Sequence, residues 1–369
     1  MNRLFRWDQM GLFLLALAAG ILPFAVPEVC AAALREGLTL CSGPLLLSLF
    51  PFLVVSRLLI QCPESDLLAL PFRLAAWGIG IRTPCAARVL CIGFLGGFAP
   101  AASAAAQAVR TGQLTAEEAD ALLPACICSG PSFVVLTVGQ SLLGSVELGV
   151  LLFASQITAN YLTAALLNRF AGVRSVKPGS AAPASPAPPR LDEILADAAI
   201  TYCKLCGFIL FFRMLAAGAG ALLPAGAGTL CSILLEVCSG CDLASRTGRW
   251  GSLLCCAALS VQGLSVLLQV RTICPPEMTL RPLYRARMLH LPLSLALFYL
   301  LLPGGEADVF STLPARVLLM RRVPPDCALL VFAVCCMAAC TLRSGIRQVE
   351  QKQMARNAGG CCINSKTLL

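Results

Sequence analysis

The stretch PCAARVLCIGFLGGFAPAASAAAQAVRTGQLTAEEADALLPACICSGPSFVVLTVGQSLLG, residues 84–144, decides the fold of this chain. Its first part predicts one apolar helix over residues 84–109, interrupted by Pro100, which removes a backbone donor. A small residue recurs at every fourth position of this helix: Gly93, Gly97, Ala101 and Ala105. Such a ridge lets a second helix backbone approach closely inside a membrane.

The second part of the stretch is an apolar run that is broken in its middle. A polar bend at residues 111–120 leads into residues 121–144, where Ser129, Gly130 and Pro131 interrupt the run. Lipid cannot satisfy the backbone groups that a break frees, so broken segments line protected cavities. The pattern predicts a re-entrant hairpin with its tip at these three residues.

The composition indicates a membrane protein. Of 369 residues, 58% are hydrophobic and 13% are charged, whereas a soluble domain carries about 25% charged residues. The formal net charge is +9, but the basic residues cluster at the ends of apolar runs, which is typical of membrane topology. We therefore expect a lipid bilayer as partner and no nucleic acid.

The 21 cysteines lie mostly inside apolar runs, where cysteine acts as a small hydrophobic residue. Cys203 and Cys206, and likewise Cys238 and Cys241, have the spacing of a metal or redox site. The chain has one histidine, His290, at the start of a predicted span, where we expect it to be interfacial. We predict no metal and no cofactor.

The apolar pattern predicts an all-α polytopic membrane protein with about eight spans and two re-entrant hairpins. The spans are predicted near residues 10–26, 44–60, 84–109, 145–167, 198–223, 251–270, 288–302 and 324–342. Eight spans put both termini on one side, and the excess of Lys and Arg there indicates the cytoplasm. The hydrophobic run at 10–26 is followed at once by Pro27, so we expect an uncleaved span rather than a signal peptide.

Five regions follow from this reading. They are the N-terminal spans and an interfacial helix at 1–83, a first gate repeat at 84–170, a Pro/Ala-rich linker at 171–192, a second repeat with C-terminal spans at 193–342, and a basic tail at 343–369. Each repeat has the order span, broken hairpin, span. Paired broken helices in two halves are typical of transporters.

Glu236 and Arg213 are the most informative side chains of the second repeat. Charged residues inside apolar runs are costly in lipid and face a cavity or a partner. Each could contact substrate, or the two could pair structurally. The predicted substrate-binding residues are Gly97, Phe98, Pro100, Ser129, Gly130, Pro131, Arg213, Glu236, Ser239, Gly240, Ser260 and Gln262. No nucleophile–base pair or phosphate-binding loop is present, so we predict no enzyme.

The residues of the stretch 84–144, called the organising stretch below, resemble a known family. GFLGGFAPAASAAAQAVRTGQLTAEEADALLPACICSGPSFVV is similar to the nucleoside-recognition gate domain of the sporulation integral membrane protein (YlbJ, stage V sporulation protein V) family. Gly97 and Phe98 match its Gly-Tyr pair, residues 111–123 match its connection, and Cys126 with SGP at 129–131 matches its last motif. The second half follows the family order in CKLCGFILFF (203–212), LLEVCSG (234–240) and LSVQG (259–263).

The chain departs from the family pattern at several polar positions. The usual Pro and second Gly are Ala99 and Ala101, and a usual His is Gln262. The two usual Asn are Ile127 and Cys128. If those polar groups contact substrate, this chain binds differently.

The resemblance implies a fold and a function. It implies a two-fold internal repeat like that of concentrative nucleoside transporters, and transport of dipicolinic acid across the outer forespore membrane during sporulation. The chain would then be a multi-pass protein of that membrane or of the cell membrane. A nucleoside-type transporter, a non-transporting scaffold for spore envelope assembly and an intramembrane thiol or metal enzyme stay open as alternatives, as does a homo-oligomer.

Overall fold

The computed structural model describes residues 2–61, 65–171 and 190–302, and all regular structure in these ranges is helical. Most of the predicted linker, the predicted eighth span at 324–342 and the basic tail at 343–369 lie outside the described residues.

The N-terminal region forms five helices before the organising stretch. They are α1 (Asn2–Ala25), α2 (Pro27–Ser42), α3 (Pro44–Gln61), α4 (Ser65–Leu68) and α5 (Leu70–Gly78). The chain bends by 110° between α1 and α2. Pro27 begins α2, where the absent N–H costs nothing because first-turn donors have no intrahelical partner.

Among the described residues, three helices are long and apolar enough to cross a membrane. They cover Val146–Ala171, Leu191–Leu222 and Gly248–Ile273, and the bent pair of α1 and α2 is a fourth if counted as one span. The three helices fall on the spans predicted at 145–167, 198–223 and 251–270. Several apolar helices of this length agree with the expectation of a membrane protein.

The prediction of a single helix over 84–109 is wrong. The chain forms α6 (Pro84–Gly96) and α7 (Phe98–Arg110), which meet at Gly97 with φ of +79°. A Cβ on Gly93 would lie 3.2 Å from the Cβ of Ala101, although eight residues of unbroken helix span about 12 Å. The segment is therefore a hairpin, and its tip is Gly97.

The predicted hairpin at 121–144 is also wrong, because this segment continues past its break. It consists of α8 (Ala116–Cys126) and a π-helix (Ser132–Leu142), followed by α9 (Val146–Ala171). Near one end, the Nδ2 atom of Asn168 donates to the carbonyl of Ala121 over 3.1 Å. Near the other, a Cβ on Gly149 would lie 3.0 Å from Gly139. Both pieces thus lie antiparallel along α9, on either side of residues 127–131.

The second half contains one hairpin and one broken helix as well. Its helices are α10 (Leu191–Leu222), α11 (Ala225–Leu235), α12 (Val237–Ser245), α13 (Gly251–Val261), α14 (Gly263–Ile273) and α15 (Arg281–Leu301). A Cβ on Gly240 would lie 2.8 Å from the Cα of Ile233, so α11 and α12 fold back on each other at Glu236. The predicted interruption at 229–245 is therefore a hairpin with Glu236 at its tip.

The helix α13 passes into α14 through two consecutive residues with positive φ. Gln262 has φ of +63° and Gly263 has φ of +69°. The two helices still form one candidate span, Gly248–Ile273. The break therefore frees backbone groups without reversing the chain.

Polar side chains tie distant elements together. Arg57 of α3 donates to Ser103 of α7 over 3.3 Å and pairs with Asp197 of α10 over 2.5 Å. Asp120 of α8 accepts hydrogen bonds from the backbone N–H of Thr279 and of Leu280, at 2.8 and 3.1 Å. The contacts of Asp120 thus join α8 in the first half to the start of α15 in the second half.

Candidate functional site

The four helix breaks meet in two pairs. A Cβ on Gly97 would lie 2.7 Å from the backbone N of Gly130, so the first hairpin tip rests directly on the break of the following helix. A Cβ on Gly263 would lie 2.9 Å from the backbone N of Glu236. In each half, therefore, a hairpin tip touches the break of the next helix, backbone against backbone.

A cavity of about 60 Å³ lies where the two pairs approach each other. It receives Gly96, Ser129 and Gly130 from the first pair and Glu236 and Val237 from the second. The remaining lining residues come from α3, α6, α7, the π-helix, α10, α12 and α14: Leu45, Leu49, Leu95, Phe98, Ser132, Phe133, Ile209, Cys238, Val266 and Gln269. The cavity is thus an apolar chamber with a few polar groups at the breaks.

Glu236 caps the helix that follows it. Its carboxylate accepts hydrogen bonds from the backbone N–H of Cys238 at 2.9 Å and of Ser239 at 2.7 Å, and from the Ser239 hydroxyl at 2.9 Å. These donors lie at the N-terminus of α12, where the helix dipole is positive. The residue is 2% exposed, so the local donors compensate its charge.

Gln269 brings a second acceptor to the cavity. It is 2% exposed, and its Nε2 atom donates to the Ser265 hydroxyl over 2.9 Å. Its Oε1 atom is buried without a hydrogen-bond partner among the described residues. A buried unpaired acceptor at a cavity wall is a place for a ligand donor or a water. Our sequence reasoning missed Gln269 because one amide in an apolar helix carries no motif.

The predicted site residues of the first half gather at or beside the cavity. Phe98, Ser129 and Gly130 line it. Gly97 lies directly behind Gly130, and Pro131 follows it in the chain. Pro100 lies in the first turn of α7 and packs against Gly96, with its Cγ 2.9 Å from where a Cβ would be. Its expected role as the helix interruption is therefore wrong.

The predicted residues of the second half spread further apart. Ser239 contacts Glu236, and Gly240 packs on Ile233 inside the hairpin. Gln262 forms the break itself and is 1% exposed, and its Oε1 atom has no hydrogen-bond partner in the described part of the chain.

Arg213 does not line the cavity. Its Nη2 atom donates to the carboxylate of Glu36 in α2 over 2.7 Å. Glu236, which we considered as its structural partner, instead accepts hydrogen bonds from the N-terminus of α12. Glu36 lies 177 residues earlier in the chain, and nothing in the local pattern links the two.

Ser260 belongs to a separate buried polar cluster. Its hydroxyl donates to the carbonyl of Cys256 at 2.7 Å and accepts from Gln156 of α9 at 2.9 Å. It also contacts Ser294 of α15. His290 is 1% exposed and its Nε2 atom lies 3.2 Å from the carbonyl of Gln156, so the interfacial position expected for it is wrong.

Arg287 connects this cluster to both broken helices. It donates to the carbonyl of Ile127, the residue after α8, over 2.7 Å, and to the carbonyl of Ser260, near the end of α13, over 3.3 Å. Helix C-termini carry partial negative charge and free carbonyls, so one guanidinium serves two breaks. Our sequence reasoning placed Arg287 in a basic loop at 271–287, but α15 begins at Arg281 and buries it.

The two CxxC pairs have different surroundings. Cys203 is exposed on α10, whereas Cys241 is fully buried. Over the described ranges, no group of three or more His, Cys, Asp or Glu side chains is arranged to hold a metal ion.

Comparison with protein-family models, with curated proteins and with solved structures finds no match to this chain.

Proposed function

We propose that this chain is a secondary membrane transporter of a small heterocyclic metabolite and that the cavity between the paired breaks is its solute site. The observation that carries the proposal is the meeting of the four breaks around one chamber. Freed backbone N–H and C=O groups at membrane depth require protein or a polar cavity around them. Half-helix ends at a central chamber are the arrangement by which transporters bind solutes.

The order of elements supports two related repeats. The first half runs hairpin α6–α7, broken helix α8–π, continuous helix α9, and the second runs hairpin α11–α12, broken helix α13–α14, continuous helix α15. The contacts of Gly97 with Gly130 and of Gly263 with Glu236 correspond in this scheme. We propose that these are the two repeats expected from the sequence resemblance, within a protein of about eight spans.

The charge of the lining favours a neutral solute over dipicolinate. Among the described residues, Glu236 is the one charged side chain that lines the cavity. Two like unit charges 4 Å apart repel by about 4 kcal/mol at an effective dielectric constant of ~20. Arg213, which was expected to hold a carboxylate, pairs with Glu36 instead. A dipicolinate dianion would need protons or a companion cation in this chamber.

The polar atoms of the lining match a solute that donates hydrogen bonds. Gln269 offers an unpaired acceptor, Glu236 offers carboxylate oxygens, and the hydroxyl of Ser129 can accept or donate. Phe98 and Phe133 supply aromatic surface for a planar ring. A nucleoside, with ring N–H and hydroxyl donors, suits the chemistry of these groups, so the nucleoside-type alternative is the one that it favours. The chamber of about 60 Å³ is smaller than pockets that hold such ligands, so its walls must move apart to admit one.

Uptake into proteoliposomes tests the proposal. Labelled uridine and labelled dipicolinate are offered to the wild type, to Glu236→Gln and to the control Glu147→Gln, which removes an exposed acid on α9. We expect saturable uridine uptake that falls at least ~10-fold in Glu236→Gln, equal to about 1.4 kcal/mol, and is unchanged in Glu147→Gln. Uptake of dipicolinate alone would restore the substrate expected from the resemblance. No uptake of either by folded protein would favour the scaffold.

A further inference from the structure

An open groove lies on the outer face of the second half, away from the solute cavity. It has a volume of about 450 Å³ and runs between α13 and α15, where Leu253 and Leu254 face Leu295. Trp250 and Tyr299 stand at its walls with 53% and 68% of their surfaces exposed.

The groove exposes part of Gly248–Ile273, which is the most buried of the candidate spans. In Gly248–Ile273, 61% of the apolar window is buried, compared with 39% in Val146–Ala171 and 33% in Leu191–Leu222. This span therefore lies inside the protein along most of its surface, and the groove is a place where the described residues leave it uncovered.

We propose that this groove is the seat of residues 325–342 of the same chain, packed antiparallel to α15. The helix α15 ends at Leu301, two residues after Tyr299, so the chain leaves the described region at the groove itself. The 18 residues PDCALLVFAVCCMAACTL would extend about 27 Å as a helix, which approaches the thickness of a bilayer core.

The connection is long enough for this arrangement. Residues 303–324 can span up to about 70 Å when extended. Because α15 ends at the level of Tyr299 and Trp250, a segment that returns across the membrane starts at this end of the groove. The direction of residues 325–342 is then opposite to that of α15.

Charge at the same end agrees with this direction. Asp326 is the only acidic residue between positions 309 and 342. Arg249 lies at this end of the groove, with its guanidinium carbon 5.1 Å from the centre of the Trp250 ring. In the antiparallel arrangement, Asp326 enters the groove beside Arg249, and Arg343 leaves it at the far end of the segment.

Photo-cross-linking in native membranes tests the proposal on the full chain. The photoreactive residue p-benzoylphenylalanine replaces Leu254 inside the groove or, as a matched control, Leu162, an exposed leucine on α9. Residues 323–343 form one tryptic peptide. We expect this peptide to be cross-linked to position 254 within a single chain, at a yield at least ~5-fold above that from position 162. Adducts with lipid alone, or only products of twice the chain mass, would overturn it.

A charge exchange tests the direction of packing. Asp326→Arg places two like charges at the groove end, and we expect it to lower the cross-linking yield from position 254 at least ~3-fold. Adding Arg249→Asp to this variant restores opposite charges and is expected to restore the yield. A yield that neither change alters would overturn the antiparallel arrangement.

Discussion

In both halves the backbone of a hairpin tip contacts the break of the next helix, but the side chains at the two contacts differ. In the first half, Gly97 rests on Gly130, and no side chain separates the two backbones. In the second half, the tip is Glu236, whose carboxylate caps α12, and the facing break contains a left-handed glutamine, Gln262. Both pairs therefore depend on a glycine at the contact, Gly97 in the first and Gly263 in the second, and the second depends in addition on the carboxylate that caps α12.

This difference assigns separate roles to the two halves. A glycine contact fixes the distance between hairpin and helix, and the first pair offers a solute backbone groups and the hydroxyl of Ser129. A carboxylate and a buried amide that line the chamber, at Glu236 and Gln269, offer directional hydrogen bonds. We infer that the first pair sets the geometry of the chamber and the second pair sets its selectivity.

The largest expected effect is that of Gly97→Ala. A Cβ would lie 2.7 Å from the N atom of Gly130, and the residue has φ of +79° and ψ of −163°. Backbone strain of ~1–3 kcal/mol and overpacking of ~1–3 kcal/mol combine to a loss of about 3 kcal/mol or more. The midpoint of thermal unfolding, followed by tryptophan fluorescence in detergent, measures this loss.

Gly144→Ala is the matched control for that variant. Gly144 also has a positive φ, +74°, but a Cβ there would meet nothing within 4 Å. It should lose only the strain of about 1 kcal/mol. Equal losses for the two variants would show that the close approach to Gly130 is unimportant.

The second prediction concerns Arg287, which donates hydrogen bonds to the broken helices of both halves. Arg287→Leu leaves the carbonyl of Ser260 without its donor and weakens the bonding of Ile127. A buried group without a partner costs ~1–3 kcal/mol, so we expect a loss of about 2 kcal/mol in unfolding free energy. Arg287→Lys should recover part of it, and Arg285→Leu, at an exposed position of the same helix, should be near neutral. If Arg285→Leu lowers the free energy of unfolding as much as Arg287→Leu does, the hydrogen bonds from Arg287 to the two breaks do not stabilise the fold.

A third, smaller effect distinguishes the cap from its supporting hydroxyl. Glu236→Ala removes the acceptor of two backbone donors and should cost ~1–2 kcal/mol, the range for a lost helix cap. Ser239→Ala removes one hydrogen bond to the same carboxylate and should cost ~0.5–1 kcal/mol. Thermal unfolding of both variants measures the two losses. If Ser239→Ala has no effect while Glu236→Ala is destabilising, the role of Glu236 is steric and does not depend on the hydrogen bond from Ser239.

The smallest effect is expected at the left-handed break. In Gln262→Gly, relief of the left-handed strain, ~1 kcal/mol, is offset by the backbone entropy of glycine, ~0.5–1 kcal/mol. Stability should therefore stay within ~0.5 kcal/mol of the wild type, whereas Gln107→Gly in the regular helix α7 should lose about 1 kcal/mol. A large loss in Gln262→Gly would mean that its side chain holds the break together.

The sequence predicted where the backbone is interrupted better than how it is interrupted. The interruption at 129–131 and the acid at 236 both fall at observed breaks. The pattern could not distinguish a hairpin from a broken but continuing helix, because both need freed backbone groups and a breaker residue. The deciding quantity is the direction of the following helix, and that depends on packing against α9 and α12.

The site was predictable only where local chemistry defines it. Glu236 carries its own signal, an acid in an apolar run followed by a helix that it caps. Gln269 and Arg287 carry none, because their partners come from other helices. For the same reason, the pairing of Arg213 with Glu36 could not be foreseen. Long-range pairing of single polar residues leaves no periodic trace in one sequence.

Equilibrium binding of uridine tests the central claim, that the chamber between the paired breaks is a solute site. Titration calorimetry on purified protein would compare the wild type with Gln269→Leu, which removes the unpaired acceptor from the cavity wall, and with Gln140→Leu, a control at an exposed position of the π-helix. We predict that uridine binds the wild type and the control equally and that Gln269→Leu weakens binding at least ~10-fold, about 1.4 kcal/mol. Equal affinity in all three proteins would contradict the claim.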